Sequence, residues 1–224
     1  MSDFQVRHIP LFVLILGSYD SNTRQILYAL REEIAKIASV IEGIDIIALL
    51  LAKVKVFEIN TKTRQFTVMA ELNEESATLY IFEQCELIDV IQIKTDSIES
   101  RIKDIINEKW NENVEFFLEK TILNKLDLFL SVPSFVIVVR HEELTRGGEY
   151  IELTYLLLRG IDPKSIFFFK KDNIKLSEMC FELLDAYKVA IRPYRSIEDL
   201  LNEAKRLLLL EIKKMRNILQ QCQE

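Results

Sequence analysis

Ile9-Pro10-Leu11-Phe12-Val13-Leu14-Ile15-Leu16, followed by Gly17-Ser18-Tyr19-Asp20, is the stretch that decides the fold class. A run this apolar has no polar face to give to water, so it reads as a strand buried on both sides that stops at a loop. Strands of that kind belong to parallel sheets covered by helices. Ser21 or Asn22 then caps a helix whose apolar positions Ile26, Leu27, Leu30, Ile34, Ile37 and Ala38 recur at helical spacing, and Gly43 closes the turn. A first β-α unit therefore spans about 9–43.

The same alternation continues, with an interruption. Ile44 to Ala52 is a second apolar strand. Val54 to Ile59 and Gln65 to Leu72 alternate around Thr61-Lys62-Thr63-Arg64 like an added hairpin. Glu74 to Gln84 reads either as a helix or, from Thr78-Leu79-Tyr80-Ile81-Phe82, as a strand, ahead of a strand over Leu87 to Ile93. Ile98, Ile102, Ile105 and Ile106, then Val114, Phe117, Leu118, Ile122 and Leu126, predict two helices broken near Asn111-Glu112-Asn113. After them come a strand at Ser134 to Val139, a helix at Gly147 to Leu158, a strand at Ser165 to Phe169, a helix at Leu176 to Tyr187, a short strand at Val189 to Ile191 and a final helix from Ser196 to Leu219. The expectation is one flavodoxin-like (Rossmann-like) α/β domain, its parallel sheet sandwiched by helices, carrying an inserted hairpin and helical segment over about 53–130.

Composition narrows the function classes. With 49% apolar and 29% charged residues, 5 Gly and 4 Pro in 224 residues, the chain is neither disordered nor fibrous. The 29 Lys and Arg against 35 Asp and Glu leave a charge of -6, so no general basic field exists to hold a nucleic acid, and none is expected as a partner. Cys85, Cys180 and Cys222 are scattered and form no C-x-x-C pair, which suggests neither a disulfide framework nor a zinc site. No apolar run approaches the roughly 18–20 residues of a membrane span, and no secretory leader is recognised, so a cytoplasmic, soluble protein is expected. Neither G-x-G-x-x-G after the first strand nor G-x-x-x-x-G-K-[ST] occurs, which argues against dehydrogenase and P-loop readings.

In doubly wound folds ligands sit beyond the carboxyl ends of the strands. Two loops are then of interest, Gly17-Ser18-Tyr19-Asp20 and Arg140 to Gly148, each running into a helix. The adjacent Gly147 and Gly148 would let a ligand approach the backbone, and the free N–H groups of the next helical turn favour anions. In Arg146-Gly147-Gly148-Glu149-Tyr150-Ile151-Glu152-Leu153-Thr154-Tyr155, Glu149 and Glu152 stand three apart and share one helix face.

This segment resembles the nucleoside 2-deoxyribosyltransferase-like and TIR-like superfamily, whose loop runs into its helix as Gly-Thr-x-x-Glu-(Ile/Leu)-Gly-Tyr/Ala. Gly148, Glu152, Leu153 and Tyr155 match; Glu149 stands where Thr or Ser is frequent, and Thr154 where Gly is frequent. The likeness extends to the opening strand with its Gly-Ser and helix and to the final strand-helix pairs, not to 53–130. It implies a flavodoxin-like sheet and cleavage or transfer at an N-glycosidic bond of a nucleoside or nucleotide, with Glu152 acting at the anomeric carbon, Asp20 and Ser18 near ribose hydroxyls and Arg146 on a phosphate. No metal or other cofactor is expected. Arg146-Gly147-Gly148 and Glu152 also resemble, at shorter spacing and without the proline, the Pro-Gly-Gly-x-Gly-Thr-x-x-Glu of LOG-like phosphoribohydrolases, which points to the same bond type.

Plainer readings stand beside these. An acidic residue in a first helical turn is favoured by the helix dipole without any catalytic purpose, and Asp20 also stands where it caps a helix. His8 precedes the first strand, at the wrong end of the sheet, whereas His141 lies at the right end. Lys170-Lys171 and Lys213-Lys214 are short basic pairs suited to a solvated surface. In the last helix Ile197, Leu200, Leu201, Ala204, Leu207, Leu208, Ile212, Met215 and Leu219 form one apolar face that Leu209 and Leu210 widen, so a homodimer through 196–219 is expected. A non-catalytic nucleotide-sensing or protein-interaction module is the alternative to an enzyme.

Overall fold

The computed structural model describes residues 9–18, 20–38, 44–94, 97–132, 134–142 and 148–221. The elements are β1 (Ile9–Gly17), α1 (Ser21–Ala38), β2 (Ile44–Leu50), β3 (Val54–Thr61), β4 (Gln65–Leu72), β5 (Ser76–Glu83), β6 (Glu86–Lys94) and α2 (Ile98–Trp110). They continue with β7 (Val114–Glu119), α3 (Ile122–Ser131), β8 (Ser134–Arg140), α4 (Gly148–Leu158), β9 (Ile166–Lys171), α5 (Glu178–Ala186), β10 (Ile191–Tyr194) and α6 (Ile197–Gln221). The chain divides into two compact units, one made of Met1–Ala48 with Phe135–Glu224, the other of Leu49–Ser134.

The first unit holds a five-stranded parallel sheet in the order β10-β9-β8-β1-β2, flanked by helices. Its register pairs Val138 with Phe168 and Phe168 with Ile191. The apolar runs that announce its strands are buried throughout: Leu11 to Leu16, Val136 to Val139 and Ile166 to Phe169 are all essentially inaccessible. This is what a sheet covered on both faces requires. α1 and α6 pack together, with Lys205 Nζ donating to Glu33 Oε2 at 2.7 Å across them. On α6 Leu200, Ala204, Leu207, Leu208 and Ile212 are buried, while Leu209 and Leu210 are exposed. The chain leaves β1 for β2 on one side and returns as β8 on the other, so the sequence order of the strands reverses beside β1.

The second unit is an antiparallel sheet in the order β6-β5-β4-β3-β7. α2 covers one face, where Ile102, Ile105 and Ile106 close a core with Phe57, Ile59, Phe66, Val68, Leu79 and Ile81. The tight connection at 61–64 is held by Thr61 N–H donating to Arg64 O at 2.9 Å, as the alternating pattern predicts. The segment around 74–84 is a strand and not a helix. β5 lies between β4 and β6, with Leu79 opposite both Ala70 and Ile91, and ladder pairing on both edges outweighs the helical reading.

The second helix expected from Val114 onward is also corrected. Val114–Glu119 is strand β7, which pairs with β3 through Ile59 and Phe117, and the helix α3 begins only at Ile122. Thr121 caps it, its side chain accepting from Asn124 N–H. The short strand expected at Val189 to Ile191 lies at Ile191–Tyr194 instead.

Candidate functional site

β1 and β8 are neighbours, and the residues that follow them gather at their carboxyl ends. β1 ends at Gly17, and a Cβ there would stand 2.9 Å from Leu27 Cδ2 and 3.1 Å from the Val139 carbonyl oxygen. Glycine at 17 is thus what lets β1, α1 and β8 close on one another. Asp20 caps α1: its Oδ1 accepts from Thr23 N–H at 2.8 Å and Asn22 N–H at 3.1 Å. Burial alone would raise this carboxyl, but the Thr23 amide, the nearby Ser18 and Thr23 hydroxyls and the Asn22 amide outweigh it and hold it below its ordinary value. Its other oxygen, Oδ2, and Thr23 Oγ1 are buried and, although these hydroxyls stand close to the carboxyl, neither atom makes a hydrogen bond of ordinary geometry among the described residues.

Residues after β8 join this group. Asn22 Nδ2 donates to Glu142 Oε1 at 2.7 Å, and His141 Nδ1 meets the Tyr194 hydroxyl at 2.9 Å. Burial and the Lys171 charge push the imidazole of His141 down, against the pull of Glu142 and Asp20. His141 therefore stays neutral near pH 7, within electrostatic reach of three charged groups from three strand ends.

α4 carries the second group. Arg140, the last residue of β8, donates through Nη1 to Glu149 Oε1 at 2.6 Å, and both side chains are buried. The Arg140 guanidinium also lies 5.0 Å from the centroid of the Tyr150 ring, which stacks on Phe168. Burial pushes the Tyr150 phenol and the Cys180 thiol up. Glu149 is therefore spent on a buried ion pair, whose removal from one side costs far more than its formation yields.

Glu152, one helical turn further on, is different. It is partly buried, it makes no hydrogen bond or ion pair among the described residues, and burial together with the negative Glu149 pushes its carboxyl up to about 7. A carboxyl poised near neutrality can hold or release a proton at working pH, and its anion can stabilise positive charge developing beside it.

The sequence-predicted residues thus fall into two groups. Gly17, Ser18 and Asp20 lie at the end of β1 with Asn22, His141 and Glu142 beside Asp20; Gly148, Glu149 and Glu152 lie on the first turns of α4 with Arg140. A Cβ on Gly148 would meet nothing within 4 Å, so packing does not demand glycine there. Arg146 and Gly147 lie outside the described residues, as does His8. Sequence reasoning missed the Arg140–Glu149 pair, although a charged residue closing an otherwise apolar strand was its signal. It also missed the contact of His141 with Tyr194, which no local pattern announces. Among the described residues no group of three His, Cys, Asp or Glu is placed to hold a metal ion, and no helix is long and apolar enough to cross a membrane. Comparison with family models, with curated proteins and with solved structures gives no match.

Proposed function

We propose that this chain hydrolyses or transfers at the N-glycosidic bond of a nucleoside, nucleotide or NAD-like substrate, as a member of the nucleoside 2-deoxyribosyltransferase-like and TIR-like superfamily. The observation that carries the reading is the Glu152 carboxyl, without a hydrogen bond or ion pair among the described residues and poised near pH 7 on the helix that follows β8. Strand order supports it: counted within the first unit alone, the order is 2-1-3-4-5, that of flavodoxin-like sheets, whose ligands sit where the order reverses.

In the proposed reaction a Glu152 oxygen attacks the anomeric carbon as the bond to the base nitrogen breaks; the bonding pair leaves with the base, which takes up a proton. Water then displaces Glu152 in hydrolysis, or a second base does so in transfer. Positive charge builds on the sugar ring in both steps, and the carboxylate stabilises it. Asp20 Oδ2 and the Ser18 hydroxyl are the groups proposed to receive sugar hydroxyls, and Arg146 a phosphate.

The test is incubation of the purified chain with NAD, nucleosides and nucleoside monophosphates, with chromatography for released base. Release that rises as pH passes through about 7 and is lost in Glu152→Gln is expected; no release from any substrate overturns the proposal. A non-catalytic interaction module is the second reading, favoured by Ile151 and Leu158 on α4 and Met179 and Phe181 on α5, which are 56–80% exposed. Pairing of two copies through Leu209 and Leu210 of α6 belongs with either reading, and sedimentation of Leu209→Lys against the parent chain checks it.

A further inference from the structure

The second unit carries a groove that the reading of Glu152 does not use. It lies between β6 and α2, has a volume of about 550 Å³, and is floored by Ile91, Ile93 and Ile105. β6 is an edge strand, paired on one side with β5. Glu86, Ile88, Val90, Gln92 and Lys94 are all exposed along it. Val90 N–H donates to its neighbour Asp89 Oδ1 at 2.9 Å, which marks that amide as one facing the free edge. Alternation along an antiparallel ladder then turns the backbone groups of Gln92 and Lys94 to the same side.

Charge along the groove is ordered. Asp89 also pairs with Lys109, near the end of α2, so α2 runs back along β6. Lys94 and Arg101 therefore sit at one end of the groove and Glu108 at the other, with Asp104 between them on α2.

We propose that this groove binds an extended segment of a partner polypeptide as an added strand on β6. Outward-facing amides and carbonyls at Val90, Gln92 and Lys94 match only a chain in extended form, because a helix has spent those groups internally. Alternate side chains of the segment point into the groove onto Ile91, Ile93 and Ile105, so the partner is apolar at every second position. The charge order calls for an acidic group on the segment at the Lys94 end and a basic group at the Glu108 end. The Asp89 carboxylate holds the Val90 amide until a carbonyl of the incoming strand replaces it.

Selection from a display library of random twelve-residue peptides on the full chain tests this, followed by fluorescence anisotropy with the enriched peptide. Alternating apolar sequences with the predicted charge order are expected. Gln92→Pro, which removes one edge amide at an exposed position, is expected to weaken binding at least tenfold with an unchanged circular dichroism spectrum. Lys94→Glu combined with Glu108→Lys is expected to select peptides of reversed charge order, and keeps the test decisive if Gln92→Pro does not fold. No enrichment, enrichment of helical or proline-rich peptides, or binding indifferent to both variants overturns the proposal.

Discussion

The two units spend charge in opposite ways. In the parallel unit both faces of the sheet are covered, so that, while the helices carry exposed pairs such as Arg206–Glu203, polar side chains of the sheet itself gather at the strand ends. There they are drawn inward: Arg140 and Glu149 are buried together, and Glu152 is left desolvated. In the antiparallel unit ion pairs such as Lys55–Glu119 and Lys109–Asp89 are partly exposed to water, where each contributes little. The difference teaches where chemistry can be sought: a carboxyl shifted towards neutrality needs burial, which the parallel unit's strand ends provide.

The comparison breaks most visibly at the buried pair. Glu149→Ala strands Arg140 without this carboxylate in the interior, and a loss of about 3–5 kcal/mol in chemical denaturation is expected. A loss below about 1 kcal/mol would mean that water reaches the pair, and the contrast between the units would fall with it. In the antiparallel unit the matching large effect is apolar. Leu79→Ala empties a fully buried position under α2, with an expected cost of about 2–5 kcal/mol in chemical denaturation.

Glu152 sharpens the contrast through its sign. Its folded pKa, about 7, lies above the ordinary value of 4.5, so the stability linked to its protonated form is complete below pH 4.5 and is lost as pH rises through 7. Glu152→Gln is therefore expected to stabilise the chain by about 3 kcal/mol at pH 8 and by nothing at pH 4, read from denaturation midpoints at the two pH values. Such a gain accompanying a loss of base release is the mark of a group kept for function at the expense of stability. The smallest effect is at the β1 end. Asp20→Ala removes the cap of α1 and is expected to cost about 1 kcal/mol in thermal melts.

How much of this the sequence discloses depends on how many neighbours an element has. β1, β8 and β9 are central strands, and their unbroken apolar runs are legible because both faces are covered. β7 is an edge strand whose Phe116 and Leu118 are exposed while Val114 and Phe117 are only partly buried; the resulting spacing imitates a helix, and only pairing with β3 decides otherwise. Within the candidate site, Glu149 and Glu152 are equally prominent in sequence. What separates them is Arg140, nine residues from Glu149, whose guanidinium reaches it from the end of β8. His141 and Tyr194 are 53 residues apart and meet through the order of the strands, which no local pattern encodes.

The pairing of β3 with β7 has a kinetic consequence. These are the first and last strands of the second unit, and Phe57 lies opposite Glu119, so the segment's point of departure and point of return are brought together by its own sheet. β3 to β6 form a meander of next-neighbour contacts, which assemble fast, whereas β1 must find β8 across more than a hundred residues. Folding of the meander, once clasped by β7, shortens the effective loop that the parallel sheet has to close and lowers its entropic barrier. The inserted sheet thereby acts as an early-folding staple, and substitutions that slow its hairpins are expected to delay the parallel sheet as well.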